Sequence, residues 1–457
     1  MSMKNIKKLN VVLALALCLV QWSCKGFLEI DPPSNSLVPA TVFKSDEVAT
    51  SAVLGIYSSM AASGYGSGDS GSISTICGLS ADEYIAYSTV LIPFNINQVP
   101  ADNSVLANLW LSVYQRIYAS NSVLEGLSES KVLSPSVAAG LRGEALFTRA
   151  FNYFYLVNLF GAVPLHLTTD QRLNAIASRK PVGEVYAQLV ADLQEAETLL
   201  ADAYVGGERS RPNKAAARAL LARVYLYIGD FKNAEVYASK VIDMTSVYAL
   251  VGLNNIFLKN SQEAIWQLMP PAGANTNEGN LLILTATPIQ VSLSANLAVN
   301  GFEVGDQRKV NWVRSFVNAT GTYYYPFKYK VKSSTTVTEH SMVLRLAELY
   351  LIRAEARVNL DNLAGGLSDL NVIRVRAGLS GLGLTLNKSQ LLSAIQGERR
   401  VELLGEWGHR WLDLKRTGTA TLVLAPIKAN WQATDVLYPI AKDEVNRNQN
   451  ITQNEGY

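Results

Sequence analysis

Three stretches of the chain hold residues whose types and spacing could do chemistry. The first is Ser23-Cys24, a thiol placed directly after a small residue at the end of an apolar run. A cysteine there is suited to carry acyl chains. The three cysteines are Cys18, Cys24 and Cys77. Once Cys18 leaves with a leader and Cys24 is acylated, Cys77 has no disulfide partner. The second stretch is ERRVELLGEWGHRWLDLKR, residues 398–416. Glu398 and Glu402 are four apart, Arg399 and Glu402 three apart, and His409 follows. Facing a cleft, these groups would serve acid–base catalysis. Between packed helices they form ion pairs, which is the reading that dense charge at helical spacing favours. The third is a pair of Tyr-containing segments of irregular pattern, around 61–100 and 269–330.

Other catalytic patterns are missing. There is no GxSxG, no HExxH and no P-loop. His166, His340 and His409 are too scattered for zinc ligation. Asp82 and Glu83 are adjacent, so in an extended chain they point to opposite sides and cannot face each other across a substrate. Glu303 and Asp306 are marked by no motif. No catalytic residue, metal or cofactor is expected. The formal net charge is +2, and no long basic tract suggests a nucleic-acid partner.

Several elements must position these residues. Lys4, Lys7 and Lys8 precede the apolar run Val11–Val20, and this is the layout of an export signal over residues 1–23. Without those lysines the formal charge is −1. Ser23 suits lipoprotein cleavage. Gln21 suits it poorly, and Leu17 before Cys18 is too large to make that cysteine the acceptor. A secreted protein with an incidental Cys24 is the plain alternative. Residues 24–40 contain Pro32, Pro33 and Pro39 and read as an extended tether. Apolar positions repeat at helical spacing near 48–60. Residues 61–80, rich in Gly and Ser, read as a long surface loop, and 81–100 as loop or irregular strand. Asn103 or Ser104 caps a helix with Leu106, Trp110, Val113, Ile117 and Leu124 on one face. A helix over 141–160 is apolar almost all round, so it is buried, and Gly161 ends it. Residues 181–200 give another helix. Residues 215–242 and 344–378 each have the small-and-large alternation of a tetratricopeptide-type helix hairpin. The turns fall at Gly229-Asp230 and Asp361-Asn362. Between them, 250–340 lose helical period, 269–280 read as loop, and TGTYYYPFKYKVK has β content. Trp110, Trp266, Trp407 and Trp411 read as core. The expected fold is mostly α: a scaffold of helix pairs with a large irregular face.

Five blocks occur in order: RGEALFTRAFNYFYLVNLFGAVPL (142–165), the hairpin at 215–242, RLAELYLIRAEA (345–356), ERRVELLGEWGHRWLDLKRTG (398–418) and YPIAKDEVNRNQNITQNEGY (438–457). Together they resemble the SusD/RagB-like family of outer-membrane glycan-binding lipoproteins, over essentially the whole chain after residue 23. EWGHRW is one residue longer than the family's usual form. Ala441, Gln449 and Glu455 stand where proline is common. The resemblance implies a SusD-like body over 24–457, with an N-terminal part over 41–268 and a C-terminal part over 269–457. It also implies four tetratricopeptide-like units and a lipid anchor at Cys24. The protein would sit on the cell surface as the lid of a SusC-like TonB-dependent β-barrel. There it would capture an oligosaccharide or polysaccharide and pass it on without cleaving it.

Sugar rings have apolar faces and ring hydroxyls, so aromatic side chains in the irregular regions are the expected contacts. By that filter the ligand-binding candidates are Tyr65, Tyr84, Tyr87, Trp312, Tyr323 and Tyr324. Asp82, Asn277 and Arg314 are their polar partners. A pure protein-interaction scaffold, or capture of a non-glycan nutrient such as peptides, is the alternative.

Overall fold

Helix after helix in the computed structural model begins and ends where local chemistry dictates. The structure describes residues 42–271 and 274–457, so Cys24, the signal and the 24–40 tether lie outside the described residues. Helix α1, Asp46–Ala62, starts at Ser45, whose side chain accepts from the Val48 amide. Helix α2 is Ile73–Ser80. Helix α3, Ser104–Glu129, is capped by Asn103, which accepts from the amides of Val105 (2.9 Å) and Leu106 (3.1 Å). Helix α4, Pro135–Phe160, opens on proline and stops at Gly161, whose φ of 72° most residues avoid. From Gly143 to Val157 every residue of α4 is buried, because α3 covers one side and α5, Val182–Leu199, covers the other.

The stack continues with the hairpin of α6 (Lys214–Tyr227) and α7 (Phe231–Ile242). Gly229, at φ 79°, makes its turn, and Asp230 caps α7 through the Asn233 amide. The next hairpin is α8 (Leu346–Asn359) with α9 (Leu363–Arg376), and α8 also packs on α7. Gly366 lets the two backbones approach: a Cβ there would lie 2.8 Å from the Ala354 carbonyl and closer still to Val358. Helix α10, Lys388–Glu402, closes this end, with Ala347, Leu351, Leu370, Leu391 and Ile395 forming one apolar cluster. Helix α11 is His409–Arg416. From α3 to α11 each labelled helix packs on the next, and Trp110, Trp266, Trp407 and Trp411 are all in the core.

Most of the strands lie in or next to the region without helical period, 250–340. In chain order they are β1 (Tyr84–Ala86), β2 (Val163–Pro164), β3 (Arg179–Lys180), β4 (Ala264–Leu268), β5 (Val291–Leu293), β6 (Val313–Asn318), β7 (Gly321–Pro326) and β8 (Ser341–Arg345). Strands β4 and β8 form a buried antiparallel ribbon, and β2 pairs with β3. The remaining four form one sheet in the order β1-β5-β7-β6.

Two expectations need correcting. The Gly- and Ser-rich stretch 61–80 is not a surface loop. Tyr65, Ser67 and nearly all of α2 are buried. Its small residues serve close packing: a Cβ on Gly78 would collide with the Tyr84 ring. Likewise, 269–280 is not all loop, since Thr276 caps a short helix, Asn277–Leu282.

Candidate functional site

The four-stranded sheet decides which aromatic residues can meet a ligand. Side chains alternate along a strand, and paired residues share a face. Arg314 pairs with Tyr325 and Phe316 with Tyr323, so these four lie on one face of the β6–β7 hairpin. Leu293 pairs with Tyr324, which puts Ser292 of β5 on the first face with its partner Ile85 of β1. Tyr87, two residues past Ile85, joins them. Its hydroxyl meets Ser292 Oγ at 3.0 Å, and its ring meets Tyr323 edge-on at 6.1 Å.

That face is open. Ile85, Tyr87 and Arg314 are exposed, and Tyr323, Tyr325 and Phe316 are half-buried. On the opposite face Tyr84, Val291, Leu293 and Pro326 are buried, whereas Ser315 and Val317 of β6 are exposed. Phe327 extends the shelf, its ring 6.1 Å from Tyr325 and beneath the Arg314 guanidinium at 5.2 Å. Only Nη1 of Arg314 is engaged, by the Val310 and Val313 carbonyls, so its other N–H groups make no hydrogen bond among the described residues. Lys330 also lies over the Phe327 ring, at 4.5 Å; burial, then the nearby Arg314, pushes its ammonium down to about 8. At the hairpin tip, Asn318, Thr320 and Thr287 add a polar edge, with Thr320 Oγ1 2.9 Å from the Tyr323 hydroxyl. The arrangement offers stacked ring faces, one partly free guanidinium and several hydroxyls on a rigid, hydrogen-bonded sheet.

Of the nine candidates in the irregular regions, Tyr87, Arg314 and Tyr323 come together here. The others are placed differently. Tyr65 is 1% exposed and packs on Tyr155. Tyr84 is 2% exposed, on the inner face of the sheet. Trp312 is fully buried, donates from Nε1 to the Leu253 carbonyl at 3.1 Å and carries Lys328 over its ring. An irregular segment that wraps a body this large turns its biggest rings inward, because they gain the most from leaving water. None of the three presents a ring to solvent. Tyr324, half-buried like Tyr323 and Tyr325, lies on the opposite face of the hairpin by the alternation that unites those two. Asp82 is held by Arg400 (2.6 Å) and Arg410 (2.8 Å). Burial opposes its charge, but the two guanidinium groups win and keep the carboxyl below its ordinary value. Asn277 donates to the Ser67 carbonyl at 2.9 Å and braces the backbone there. Tyr325, Phe316 and Phe327 share the open face and are not among the nine. Period-2 alternation through VRSFVN and GTYYYP carries the signal for the first two.

The charge-dense block builds ion pairs, as its spacing suggested. Glu402 accepts from Arg345 (2.6 Å) and Arg308 (3.0 Å) and also contacts Arg376. Arg308 further binds Asp306 (2.8 Å) and Glu398 (2.6 Å), Arg345 binds Glu263 (2.9 Å) and Glu406 (2.7 Å), and Lys328 binds Glu406 (2.5 Å). Burial opposes the Glu402 charge, yet Arg376, Arg345 and Arg308 hold it well below the usual carboxylate range. Burial, reinforced by surrounding guanidinium groups, keeps His409 neutral. Arg399 does not pair with Glu402; it binds Asp413 at 2.7 Å. A carboxylate so clamped has no proton to give.

Comparison with known proteins adds an independent line. Residues 26–226 match a family described as "Starch-binding associating with outer membrane", and residues 298–457 match one described as "SusD family". A SusD-like protein P2 of Formosa agariphila is 28% identical over 424 residues, 78% of this chain and 81% of that protein. The starch-binding protein SusD of Bacteroides thetaiotaomicron is 26% identical, over 73% of this chain and 74% of that protein. Among solved structures, a SusD superfamily protein of Bacteroides vulgatus superposes with a TM-score of 0.79 at 21% identity, covering 91% of this chain and 100% of the other. A laminarin-binding SusD-like protein superposes with a TM-score of 0.76 at 23% identity, over 91% and 100%.

Proposed function

The chain belongs to the SusD/RagB family, and from that premise we propose that it captures a glycan on the aromatic face of its four-stranded sheet and hands it to an outer-membrane transporter. One observation supports the capture site: Tyr87, Tyr323, Tyr325, Phe316 and Phe327 lie on the solvent side of one hydrogen-bonded sheet, with Arg314 among them. Each ring covers large area at low entropy cost, and pyranose faces are apolar. The sheet holds the rings in place before ligand arrives, so little ordering is lost on binding.

The glycan is bound, not hydrolysed. Glu303 and Asp306, the two acidic residues ahead of β6, are engaged by Arg374 (2.6 Å) and Arg308 (2.8 Å). Acyl chains on Cys24 would hold the protein at the outer membrane, on the outer face. A TonB-dependent β-barrel of SusC type would be its partner. The relatives named as starch-binding and laminarin-binding support a glycan as ligand class. Capture of a peptide, or a protein-docking role, has one feature in its favour. An open groove of about 810 Å³ runs between α10, α11 and the α6–α7 turn, where Leu422 is 77% exposed.

Calorimetry of residues 25–457 against plant, host and microbial polysaccharides tests the proposal. At least one should bind, and Tyr323→Ala with Tyr325→Ala should weaken it tenfold or more, about 1.4 kcal/mol. Binding unmoved by that double substitution discards the site. No binding to any glycan discards the ligand class and favours a peptide.

A further inference from the structure

The charge carried by the four-stranded sheet is one-sided. No charged residue occurs from Tyr84 to Ala101 or from Gly279 to Phe302, the segments that supply β1 and β5. Between Asp306 and Glu339, which supplies β6 and β7, the charged residues are Arg308, Lys309, Arg314, Lys328, Lys330 and Lys332, and none is acidic. Arg308 and Lys328 turn inward to the carboxylates of the buried network. Among the described residues, Lys309, Arg314, Lys330 and Lys332 are held by backbone carbonyls instead. Lys309 bonds to Val299 (2.8 Å), Lys330 to Asn311 (2.6 Å) and Phe327, and Lys332 to Asn280 and Ile283 (both 2.8 Å). Arg314 bonds to Val310 and Val313. A carbonyl fixes a cation in place without cancelling its charge.

Two of these cations converge on the aromatic shelf. The Arg314 guanidinium lies 5.2 Å and the Lys330 ammonium 4.5 Å from the centre of the Phe327 ring. Arg314 is exposed and Lys330 half-buried. The ring attracts both through its quadrupole but supplies no counter-charge. Of the charged groups near Lys330, Arg314 repels it and Glu339 attracts it. Glu339 is 1% exposed, and its oxygens accept from the amides of Lys330 (2.6 Å) and Val331 (3.2 Å) and from Asn275 (3.3 Å). It cannot touch a ligand on the open face.

A neutral sugar would leave this like-charge pair as it is. An anionic group set beside it removes the repulsion, and a surface lined by one sign of charge draws the opposite sign from solution. The Nε and Nη2 edge of Arg314 makes no hydrogen bond among the described residues, and it matches two oxygens of a carboxylate or a sulfate. Lys330 keeps an N–H group beyond its two carbonyl partners. We propose that the sheet takes an anionic glycan, whose rings stack on Tyr323, Tyr325 and Phe327 while a uronate carboxylate or a sulfate ester meets Arg314 and Lys330. The proposal rests on the reading of this sheet as the capture site and narrows its ligand class. Starch and laminarin carry no such charge, so the chain would differ in ligand from the relatives named for them.

Matched polymers test it. Polygalacturonate is compared with its methyl-esterified form, and dextran sulfate with dextran, alongside the wider polysaccharide panel. Calorimetry reads affinity at about 50 mM and about 500 mM sodium chloride, since screening weakens exposed charge pairs. The strongest binder should carry uronate or sulfate, and its affinity should fall at the higher salt. Arg314→Gln should weaken it about tenfold or more, and Arg314→Lys, which keeps the charge and loses the fork, by less. Arg314 is exposed, so both variants should melt with the unmodified protein. Loss of binding on esterification assigns the carboxylate; loss on omission of sulfate assigns the sulfate ester. A neutral polysaccharide as the strongest binder overturns the anionic preference. So does an anionic one whose affinity is unchanged by salt or by Arg314→Gln, which is the mark of binding elsewhere. In either case Tyr323→Ala with Tyr325→Ala still decides the sheet site by itself. If no polysaccharide binds, the glycan reading fails and this inference fails with it.

Discussion

At the residue scale, ligand contact and stability should separate cleanly. Tyr323 and Tyr325 lie on an open face, so their loss should lower affinity and leave the melting temperature nearly unchanged. Trp312 is fully buried, and Trp312→Ala should cost about 3–5 kcal/mol. Thermal denaturation would expose that cost, and any binding defect should vanish on cooling to where the variant is folded. Two buried carboxyls make a pH test. Glu83 and Glu278 are each pushed up to about 7, by burial first. A raised folded value means that the folded state holds the proton more tightly than the unfolded chain. Its contribution is full below about 4.5 and is lost as pH rises through about 7. Glu278→Gln mimics the protonated form. Relative to the unmodified protein it should be indifferent near pH 4.5 and more stable at pH 8 by on the order of 1–3 kcal/mol. A stability difference that does not change between these two pH values would remove the assigned cause.

At the element scale, the α8–α9 hairpin provides a test of opposite sign to helix propensity. Alanine favours an exposed helix over glycine by about 1 kcal/mol. At Gly366, however, a methyl group would run into the Ala354 carbonyl and Val358. Gly366→Ala should therefore lower the urea midpoint, and a rise would show that the helices can move apart freely. The same hairpin shows what was legible in the sequence. Small residues at contact positions, Asn362 as cap and a short turn are local signals, and local signals define helices well. The Tyr cluster was legible as β content but not as a face. Which of three successive tyrosines looks outward depends on pairing with Arg314 and Phe316, and on which side meets the core. The burial of Tyr65, Tyr84 and Trp312 was hidden for a related reason. Tyr65 lies in a turn, Tyr84 in a three-residue strand and Trp312 at the end of a six-residue helix, so no run there is long enough to show a period that says which side faces in.

At the scale of the whole molecule, attachment is the proposal that matters most. Cys24→Ala should move the protein from the outer-membrane fraction to a soluble one and abolish palmitate labelling. Continued sedimentation with labelling would place the anchor elsewhere. Among the described residues no helix is long and apolar enough to cross a membrane, so this experiment bears directly on how the protein is held. The buried ion network operates at this scale too. Glu402→Ala leaves Arg345, Arg308 and Arg376 short of a partner, and a loss of about 3–5 kcal/mol in chemical denaturation is expected.

The members of that network come from distant places: residue 263, residues 306–308, Lys328, Arg345, residues 374–376 and residues 398–406. Apart from the local Asp306–Arg308 pair, these charges are neutralised only when distant segments meet, so completing the network should wait on closure of long chain loops. The reverse step should be slow as well, because several buried ionised groups must be exposed together. If the chain works at the outer membrane as proposed, its working lifetime would then be set by a barrier as well as by a balance of energies.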